Sequence, residues 1–258
     1  EYPYLAYNGF PYNSIRGYQA IGLFKDEDDI KYSPKQSFGV VMPGDIKYKD
    51  VNGDGVITTM DKVPLTHSNY PLVMYGFGTE LRYKNFSLGL LFKGTGKTSF
   101  FYVGQTTRVH GESEVNGMGY MPFFQGNEGN VLTLAADPAN RWIPKEYALA
   151  HGIDPSLAEN PHARFPRLQY GNNTNNSQLS TFWEGDSRYL RLQEITLNYH
   201  FSPKFMRNIG IGSLDIQFIG TNLFTWDKVK IFDPEQAVWN GRKYPIPTTY
   251  ALQLYVNL

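Results

Sequence analysis

Residues 73–92 read VMYGFGTELRYKNFSLGLLF, and this stretch decides the class of fold. Bulky residues occupy every second position over Val73–Tyr83, with small, charged or flexible residues between them. The same alternation resumes over Phe86–Phe92, directly after Lys84-Asn85. Side chains of a strand point alternately to its two faces, so period two over this length predicts two antiparallel strands joined by a tight hairpin.

The same alternation returns in three segments near the end of the chain. Together with the hairpin, the predicted strands lie near residues 72–84, 86–94, 188–201, 213–226 and 249–258. In the third strand, Leu190 and Leu192 have the opposite parity from Ile195 and Leu197. This change of parity predicts a β-bulge near Gln193-Glu194.

The connections between the predicted strands alternate between short and long. The long ones cover residues 25–71, 95–187 and 227–248. Outer-membrane barrels have short turns on the periplasmic side and long loops outside, whereas a soluble β-sandwich has no reason to place all its long loops at one end. We therefore predict an all-β fold of antiparallel transmembrane β-barrel strands with long extracellular loops. Short helices are expected around Pro144–His151 and from the acidic cluster Asp26–Asp29.

Composition excludes several other classes. The chain has 258 residues, no cysteine, and 24 Lys and Arg against 24 Asp and Glu. A nucleic-acid partner is not expected, because binding along a phosphate backbone needs an excess of basic residues. The absence of cysteine excludes disulfides and thiolate metal sites. Aromatic residues make up 16% of the chain although mean hydropathy is −0.41, which is typical of strands with one apolar and one polar face.

The number of strands predicts that more chain is needed to complete the fold. Five strands cannot close a barrel, since the smallest spanning barrels use about eight. An open sheet edge in lipid would leave backbone groups without hydrogen bonds. We therefore expect this chain to be a fragment of a larger barrel.

Residues 50–61 read DVNGDGVITTMD, which matches the spacing of a calcium-binding loop. Calcium prefers six to eight hard oxygen ligands, and the glycine at position six allows the sharp turn that such loops make. The candidate ligands are Asp50, Asn52, Asp54, the Val56 carbonyl and Asp61. Aspartate at position twelve and the lack of flanking helices favour a static clip over a signalling switch. The alternative is an Asx-rich turn without metal.

Three tryptophans lie in the predicted extracellular loops: Trp142, Trp183 and Trp239. Exposed aromatic rings stack on sugars or pack against a partner protein, so these residues are candidates for substrate or partner binding. The alternative is that they fill the cores of the loops themselves or belong to the interfacial aromatic belt. No pair of carboxylates can be identified as an acid and base couple, and we expect no catalytic residues and no organic cofactor.

Several ordered motifs resemble the C-terminal part of the SusC/RagA family of TonB-dependent outer-membrane transporters of Bacteroidota. They are Gly22-Leu23-Phe24, Pro43–Gly55, Tyr75-Gly76-Phe77, Arg141–Pro144, Pro166-Arg167-Leu168, Tyr189–Leu192, Thr221–Phe224 and Asp233-Pro234-Glu235. The likeness covers essentially the whole chain. It depends on the order of the motifs, because none of them carries it alone.

This resemblance implies a 22-stranded barrel in the outer membrane of a Gram-negative bacterium, closed inside by an N-terminal plug. A SusD-like surface lipoprotein would act as a lid that captures an oligosaccharide or a peptide, and TonB would power import by pulling on the plug. The implied partners are therefore the rest of the same transporter, the lipoprotein, TonB, the substrate and outer-membrane lipid.

The plug and TonB box belong to the N-terminal half of such transporters and are absent from this chain. Family members are expected to end on an aromatic residue, whereas this sequence ends at Leu258. We therefore expect the chain to lie within a longer polypeptide.

Two alternatives of other classes remain open at this level. The first is a secreted, calcium-stabilised β-sandwich that binds glycans, and the second is a glycoside hydrolase. Either alternative would be soluble without detergent, whereas a barrel wall would not.

Overall fold

The structure is a computed structural model. It describes residues 2–6, 8–10, 15–65, 70–102, 106–107, 115–116, 131, 133–169, 173–208, 210–239 and 244–257. The chain forms two compact units. The sheet unit comprises Asn69–Ser99, Asp186–Val238 and Lys243–Leu258, and the loop unit comprises Glu1–Ser68, Phe100–Gly185 and Trp239–Arg242. Among the described residues, no helix is both long and apolar enough to cross a bilayer.

The sheet unit is built on five antiparallel strands that pair in chain order. They are β1 Val73–Tyr83, β2 Phe86–Gly96, β3 Tyr189–His200, β4 Ser213–Asp227 and β5 Thr249–Asn257. The strands form an open meander in which β1 and β5 are the edges. A short α-helix, Pro203–Asn208, joins β3 to β4, and a 3-10 helix, Pro234–Trp239, follows β4.

Two local features of this sheet were predicted from the sequence and are confirmed. The register of β3 shifts between Leu192 and Glu194 against both neighbouring strands, which is the predicted bulge. The β1–β2 hairpin turns at Lys84, whose φ of 51° lies in the left-handed region. The Asn85 side chain donates a hydrogen bond to the His200 carbonyl at 2.6 Å, so the turn is also tied to the end of β3.

One face of the sheet is apolar and exposed. Phe77 on β1 pairs with Phe92 on β2, and their rings stack with centroids 5.0 Å apart. The exposed fractions of Phe77 and Leu252 are 54% and 70%. Other exposed residues of this face are Tyr75, Leu81, Tyr83, Phe86, Leu197, Phe224, Trp226, Tyr250, Leu254 and Val256. An apolar surface that spans five strands marks contact with lipid or with another protein surface.

The opposite face of the sheet is polar, and several of its side chains are buried. Ser87 is buried and accepts a hydrogen bond from the Asn198 amide at 3.1 Å. Arg191 and Thr95 are also buried. The usual arrangement of a water-soluble sheet, with its apolar face covered and its polar face open, is therefore reversed.

The loop unit contains short strands and helices. Its strands pair as Arg16–Gly17 with Val63–Pro64, Ala20–Leu23 with Ile46–Tyr48, Lys35–Gln36 with Val56–Ile57, and Thr106–Thr107 with Val115–Asn116. Two further strands, Ser99–Phe101 and Glu184–Asp186, pair with each other. The α-helices are Glu27–Lys31, Thr133–Ala136 and Lys145–Ala150, and the 3-10 helices are Pro3–Leu5, Thr59–Asp61, Pro155–Leu157 and Thr181–Trp183.

Both helices predicted in the long connections are present. Asp26 caps the helix Glu27–Lys31, because its carboxylate accepts a hydrogen bond from the Asp29 backbone N–H at 2.7 Å. The second helix, Lys145–Ala150, is flanked by Pro144 and His151 as its N-cap and C-cap residues.

Two glycines on the apolar face of β2 allow a test of its packing. A Cβ at Gly94 would lie 2.5 Å from the Tyr75 ring and from the Tyr189 carbonyl, whereas at Gly96 it would meet only the Val73 Cβ, at 3.7 Å. We predict that Gly94→Ala lowers the free energy of unfolding by about 1–3 kcal/mol, as overpacking does, and that Gly96→Ala changes it little. Denaturant unfolding of the intact protein in detergent measures both. Equal effects at the two glycines would contradict the packing described.

Candidate functional site

The carboxylate of Asp45 is the centre of a buried hydrogen-bond network in the loop unit. Asp45 is 0% exposed, so this charged group lies away from water. The Arg167 guanidinium provides the counter-charge, with Nε 2.8 Å from Oδ1 and Nη2 3.2 Å from Oδ2. The Met42 backbone N–H donates to Oδ2 at 2.9 Å. A buried charge is stable only when it is paired and its remaining lone pairs are satisfied, and both conditions are met here.

Three asparagines complete this buried network. The side-chain amides of Asn173 and Asn176 donate to Asp45 Oδ1 at 3.1 and 2.8 Å. Asn175 donates to the Ile46 carbonyl at 2.9 Å, and Asn176 accepts from the Ile46 N–H at the same distance. Side-chain amides therefore satisfy both backbone groups of Ile46, in the way that a neighbouring strand would.

Gln36 and Tyr48 extend the network on its other side. Gln36 donates to the Ile46 carbonyl at 2.9 Å and accepts from the Tyr48 N–H at 2.7 Å. The Tyr48 hydroxyl donates to the Asn175 carbonyl at 2.7 Å, and burial raises the pKa of this hydroxyl well above its usual range. The hydroxyl therefore stays a hydrogen-bond donor at any physiological pH.

Gly44 sits in the network because no side chain fits there. Its φ is 85°, and a Cβ would lie 2.4 Å from the Trp142 indole. Its N–H donates to the Phe24 carbonyl at 2.8 Å, and its carbonyl accepts from the Arg167 N–H at 3.0 Å. The motifs around residues 24, 44, 142 and 167, which are far apart in sequence, thus meet at one glycine.

The loop Asp50–Asp61 folds as a series of turns closed by its own side chains. Asp50 accepts hydrogen bonds from the backbone N–H groups of Gly53 and Gly55 at 2.7 and 2.8 Å. Asn52 and Asp54 each accept from the N–H two residues further on. Both glycines have positive φ, 76° and 82°, so the turn uses their conformational freedom. Each of these oxygens has a second lone pair that the backbone hydrogen bonds leave free.

Asp61 has a different role from the other candidate ligands. It is 0% exposed, and its oxygens accept from the backbone N–H groups of Val51 and Thr58, both at 2.8 Å. It thus closes the base of the loop. Within the part of the chain that the structure describes, no three His, Cys, Asp or Glu side chains converge closely enough to hold a metal ion. A calcium site in this loop stays a prediction, and its candidate oxygens besides those of Asp61 are those of Asp50, Asn52 and Asp54 and the Val56 carbonyl.

A pocket of about 880 Å³ opens beside the Asp45 network. This volume is within the range of small-molecule binding sites. Its lining is apolar at Met42, Pro43, Trp142, Ile143 and Leu168 and charged at Lys25, Glu27, Glu146 and Glu159. Tyr147 also lines it, but His151 stacks on this ring at 4.1 Å and the Arg141 guanidinium lies 5.8 Å from its centroid. The pocket could hold a ligand with both apolar and charged groups.

A second charged cluster lies on the polar face of the sheet unit. Arg191 is 1% exposed and contacts both oxygens of Asp233 at 2.6 Å, with Glu235 at 3.1 Å. Lys93 also reaches Glu235, at 2.8 Å. Two cations on adjacent strands therefore hold the segment after β4 against the sheet. Because Arg191 is buried, loss of either carboxylate would leave part of its charge without a partner.

The structure places the three predicted tryptophans as follows. Trp183 is 1% exposed, and its indole N–H donates to the Asn176 carbonyl at 2.7 Å, so it has a structural role. Trp142 is 5% exposed and lines the pocket with part of its ring. The side chain of Trp239, at the end of the 3-10 helix Pro234–Trp239, lies outside the described residues. A role of these residues in substrate or partner binding stays a prediction.

Sequence reasoning missed the residues that build the buried network. Asn173, Asn175 and Asn176 lie in a polar run that reads as an ordinary loop, and Asp45 and Arg167 are separated by more than a hundred positions. The only available signal was the presence of Pro43-Gly44-Asp45 and Pro166-Arg167 among the ordered motifs. That signal marks these residues as part of the resemblance, but it does not indicate that Asp45 pairs with Arg167.

Comparison with known proteins found two curated relatives from Formosa agariphila. TonB-dependent receptor P26 is 28% identical over 253 residues, which cover 93% of this chain and 22% of that protein. TonB-dependent receptor P3 is 23% identical over 239 residues, which cover 93% of this chain and 20% of that protein. The chain thus spans about a fifth of the length of these relatives. No family model matches the chain.

Solved structures of RagAB are similar in fold. The RagAB peptide transporter has a TM-score of 0.60 at 16% identity, covering 94% of this chain and 22% of that chain. The RagAB peptide importer in its open-open state has a TM-score of 0.55 at 16% identity, covering 97% and 23%. Identity this low shows the fold alone. With the curated relatives, it confirms the resemblance of this chain to a segment of a SusC/RagA-like TonB-dependent transporter.

Substitution of Asp45 tests whether the buried network stabilises the loop unit. We predict that Asp45→Asn lowers the free energy of unfolding by about 3–5 kcal/mol, because Arg167 then keeps a largely buried charge without a counter-charge. The matched control is Asp29→Asn, which removes the partly exposed pair with Lys47 at 2.7 Å and should cost less than about 1 kcal/mol. Denaturant-dependent proteolysis of the loop unit in the intact protein gives both values. A cost for Asp45→Asn no larger than that of the control would show that the network does not hold the unit together.

Proposed function

We propose that this chain forms part of the wall and outer loops of a TonB-dependent transporter that imports nutrients across the outer membrane of a Bacteroidota-like, Gram-negative bacterium. The observation that carries the proposal is the reversed polarity of the sheet. Its apolar face is exposed over all five strands, while its polar face holds buried charged groups. A barrel strand in lipid requires this arrangement.

The open edges of the sheet support the proposal that strands from the rest of the same transporter pair with it and complete the barrel. Strands β1 and β5 each pair on one side only within the described residues. Backbone groups in lipid need partners on both sides, so neighbouring wall strands would pair with these edges. On this proposal the complete wall has 22 strands and surrounds a plug, and TonB acts through that plug.

The segments between the strands are proposed to lie outside the cell and to meet the substrate and a SusD-like lipoprotein. The pocket beside Asp45 has the volume for a ligand of a few residues or sugar units. The RagAB structures are described as a peptide importer, while the resemblance to SusC favours oligosaccharides. We propose one of these two classes as the cargo. The relatives are receptors and importers by name, which is consistent with a chain that catalyses no reaction.

The alternative of a secreted β-sandwich agrees less well with the sheet. In a sandwich the apolar face would be the buried one, packed about 10 Å from a second sheet. Here the residues of that face are exposed, including Phe77, Leu252 and Leu254. The hydrolase alternative is less well supported, because the buried charges of Asp45 and Arg191 are held in ion pairs that serve packing.

Two adjacent positions on β5 test whether the apolar face of the sheet contacts lipid. Leu252 faces the apolar side and Gln253 the polar side. For Leu252→Lys we predict a loss of about 2–4 kcal/mol in the stability of the membrane-inserted protein, and for Gln253→Lys a small change, because only the first charge faces lipid. Folding of the intact protein into liposomes, followed by heat-modifiable gel mobility, measures both. If the protein is soluble without detergent and tolerates Leu252→Lys, it is not an outer-membrane wall.

We propose in addition that calcium binds the loop at Asp50, Asn52, Asp54 and the Val56 carbonyl, with water as further ligands. Support comes from the turn geometry and from the free lone pairs of these oxygens. The ion would tie the turns together and would not take part in any reaction.

The calcium proposal predicts a calcium-dependent rise in thermal stability for the wild-type protein that is absent in Asp54→Ala. Asp61→Asn provides the contrast, because it replaces one accepting oxygen by an amide NH2 and should destabilise the loop even with chelator present. The measurement is thermal unfolding of the intact protein in calcium or in EDTA. Identical midpoints for the wild type in the two solutions would exclude a calcium clip.

A further inference from the structure

The connection between β4 and β5 folds back over the polar face of the sheet unit. Lys93 on β2 and Arg191 on β3 lie on that face, directly opposite each other in the strand register. Their ion-pair partners, Asp233 and Glu235, belong to the segment that follows β4. We call residues 229–236 the strap. The two carboxylates hold the strap on the polar face.

The two opposed cations repel each other unless the strap is in place. Residues directly opposite on adjacent antiparallel strands have Cβ atoms about 4.5–5.5 Å apart, and like charges there are destabilising. One oxygen of Glu235 contacts both cations, at 2.8 Å from Lys93 and 3.1 Å from Arg191. Asp233 contacts Arg191 through both of its oxygens at 2.6 Å. Two positive and two negative charges therefore cancel, whereas the sheet without the strap would keep only the two positive ones.

Buried residues hold the strap at both of its ends. Val229 at its start and Gln236 at its end are both buried. The Gln236 amide donates a hydrogen bond to the Tyr244 carbonyl at 2.7 Å, so the strap is also tied to the segment that returns to β5. Movement of the strap away from the sheet would leave the buried Arg191 without its counter-charges. The strap is therefore a fixed part of the sheet unit and not a free loop.

We propose that the strap is a fixed constriction that limits the width of the cargo, and this inference rests on the proposed transport function. With the apolar face in lipid, the polar face lines the lumen of the barrel. The strap then lies inside the lumen, as an additional layer about 10 Å thick by analogy with stacked sheets. Lys93 lies near the end of β2 and Arg191 near the start of β3, where the long connections emerge. The strap therefore narrows the outer mouth of the passage.

The test measures access to a thiol beyond the strap in the intact protein in detergent. The reporter is Thr196→Cys, because Thr196 pairs with Gly89, which shares the face of Lys93 on β2, and lies further from the mouth than Arg191. Labelling rates are compared for N-ethylmaleimide and for a maleimide that carries a long polyethylene glycol chain, and mass spectrometry identifies the labelled peptide. In the protein with the native strap, we expect the small reagent to react and the large one to be excluded.

A double variant, Lys93→Met with Arg191→Met, should release the strap. It removes every ion pair that holds the strap and leaves no buried charge on the sheet. The rate of the large reagent relative to the small one should rise about tenfold, because access then follows the population of the open strap. The matched control is Lys230→Met, which removes a 70% exposed cation of the strap that contacts only Asp227, at 3.9 Å. It should leave the ratio unchanged.

Four results would overturn the inference. They are equal rates of the two reagents with the native strap, a reporter that reacts with neither reagent, an unchanged ratio in the double variant, and an equal rise in Lys230→Met. The first two do not depend on the folding of any strap variant. A protein that inserts into liposomes but shows any of these results disproves the constriction alone. A protein that does not insert at all disproves the proposed function as well.

Discussion

The pairing of backbone hydrogen-bonding groups that leave water is the constraint on which both units depend. In the sheet unit the ladder of five strands satisfies it. In the loop unit strands are only two to four residues long, so side chains take over this task. Asn175 and Gln36 serve the carbonyl of Ile46, and Asp61 serves the amides at the base of its loop. Each of these polar side chains is buried because the backbone group that it satisfies is buried.

The buried charges follow from the same constraint. Asp45 accepts hydrogen bonds from amides on separate segments, and only Arg167 makes the carboxylate tolerable away from water. Arg191 repeats the arrangement with the signs exchanged, a buried cation between two carboxylates of one segment. In both cases one charged side chain fixes a stretch of chain that has too few apolar residues to pack by itself. Such networks give long loops a single conformation.

Much of the sheet could be predicted from the sequence. Alternation over Val73–Tyr83 and in the later segments is a local signal, because successive side chains of a strand must point to opposite faces. The bulge after Leu192 and the short helix Glu27–Lys31 also have local causes, a change of parity and an acidic cap. By contrast, the residues of the Asp45 network carry no periodic pattern. Arg167, Asn173 and Asn176 lie more than a hundred positions from Asp45. No spacing rule relates an asparagine in a loop to the group that it will satisfy.

The sequence by itself determined that one face of each strand is apolar and the other polar, and that long and short connections alternate. It also determined the spacing of oxygens in the loop Asp50–Asp61. Only the tertiary structure decided that the apolar face is the exposed one, that Asp61 closes the base of its loop, and that Trp183 is buried. The physical reason is that alternation depends on the geometry of a single strand. Burial, in contrast, depends on which distant segments pack against each face, and that is settled only when the whole chain has folded.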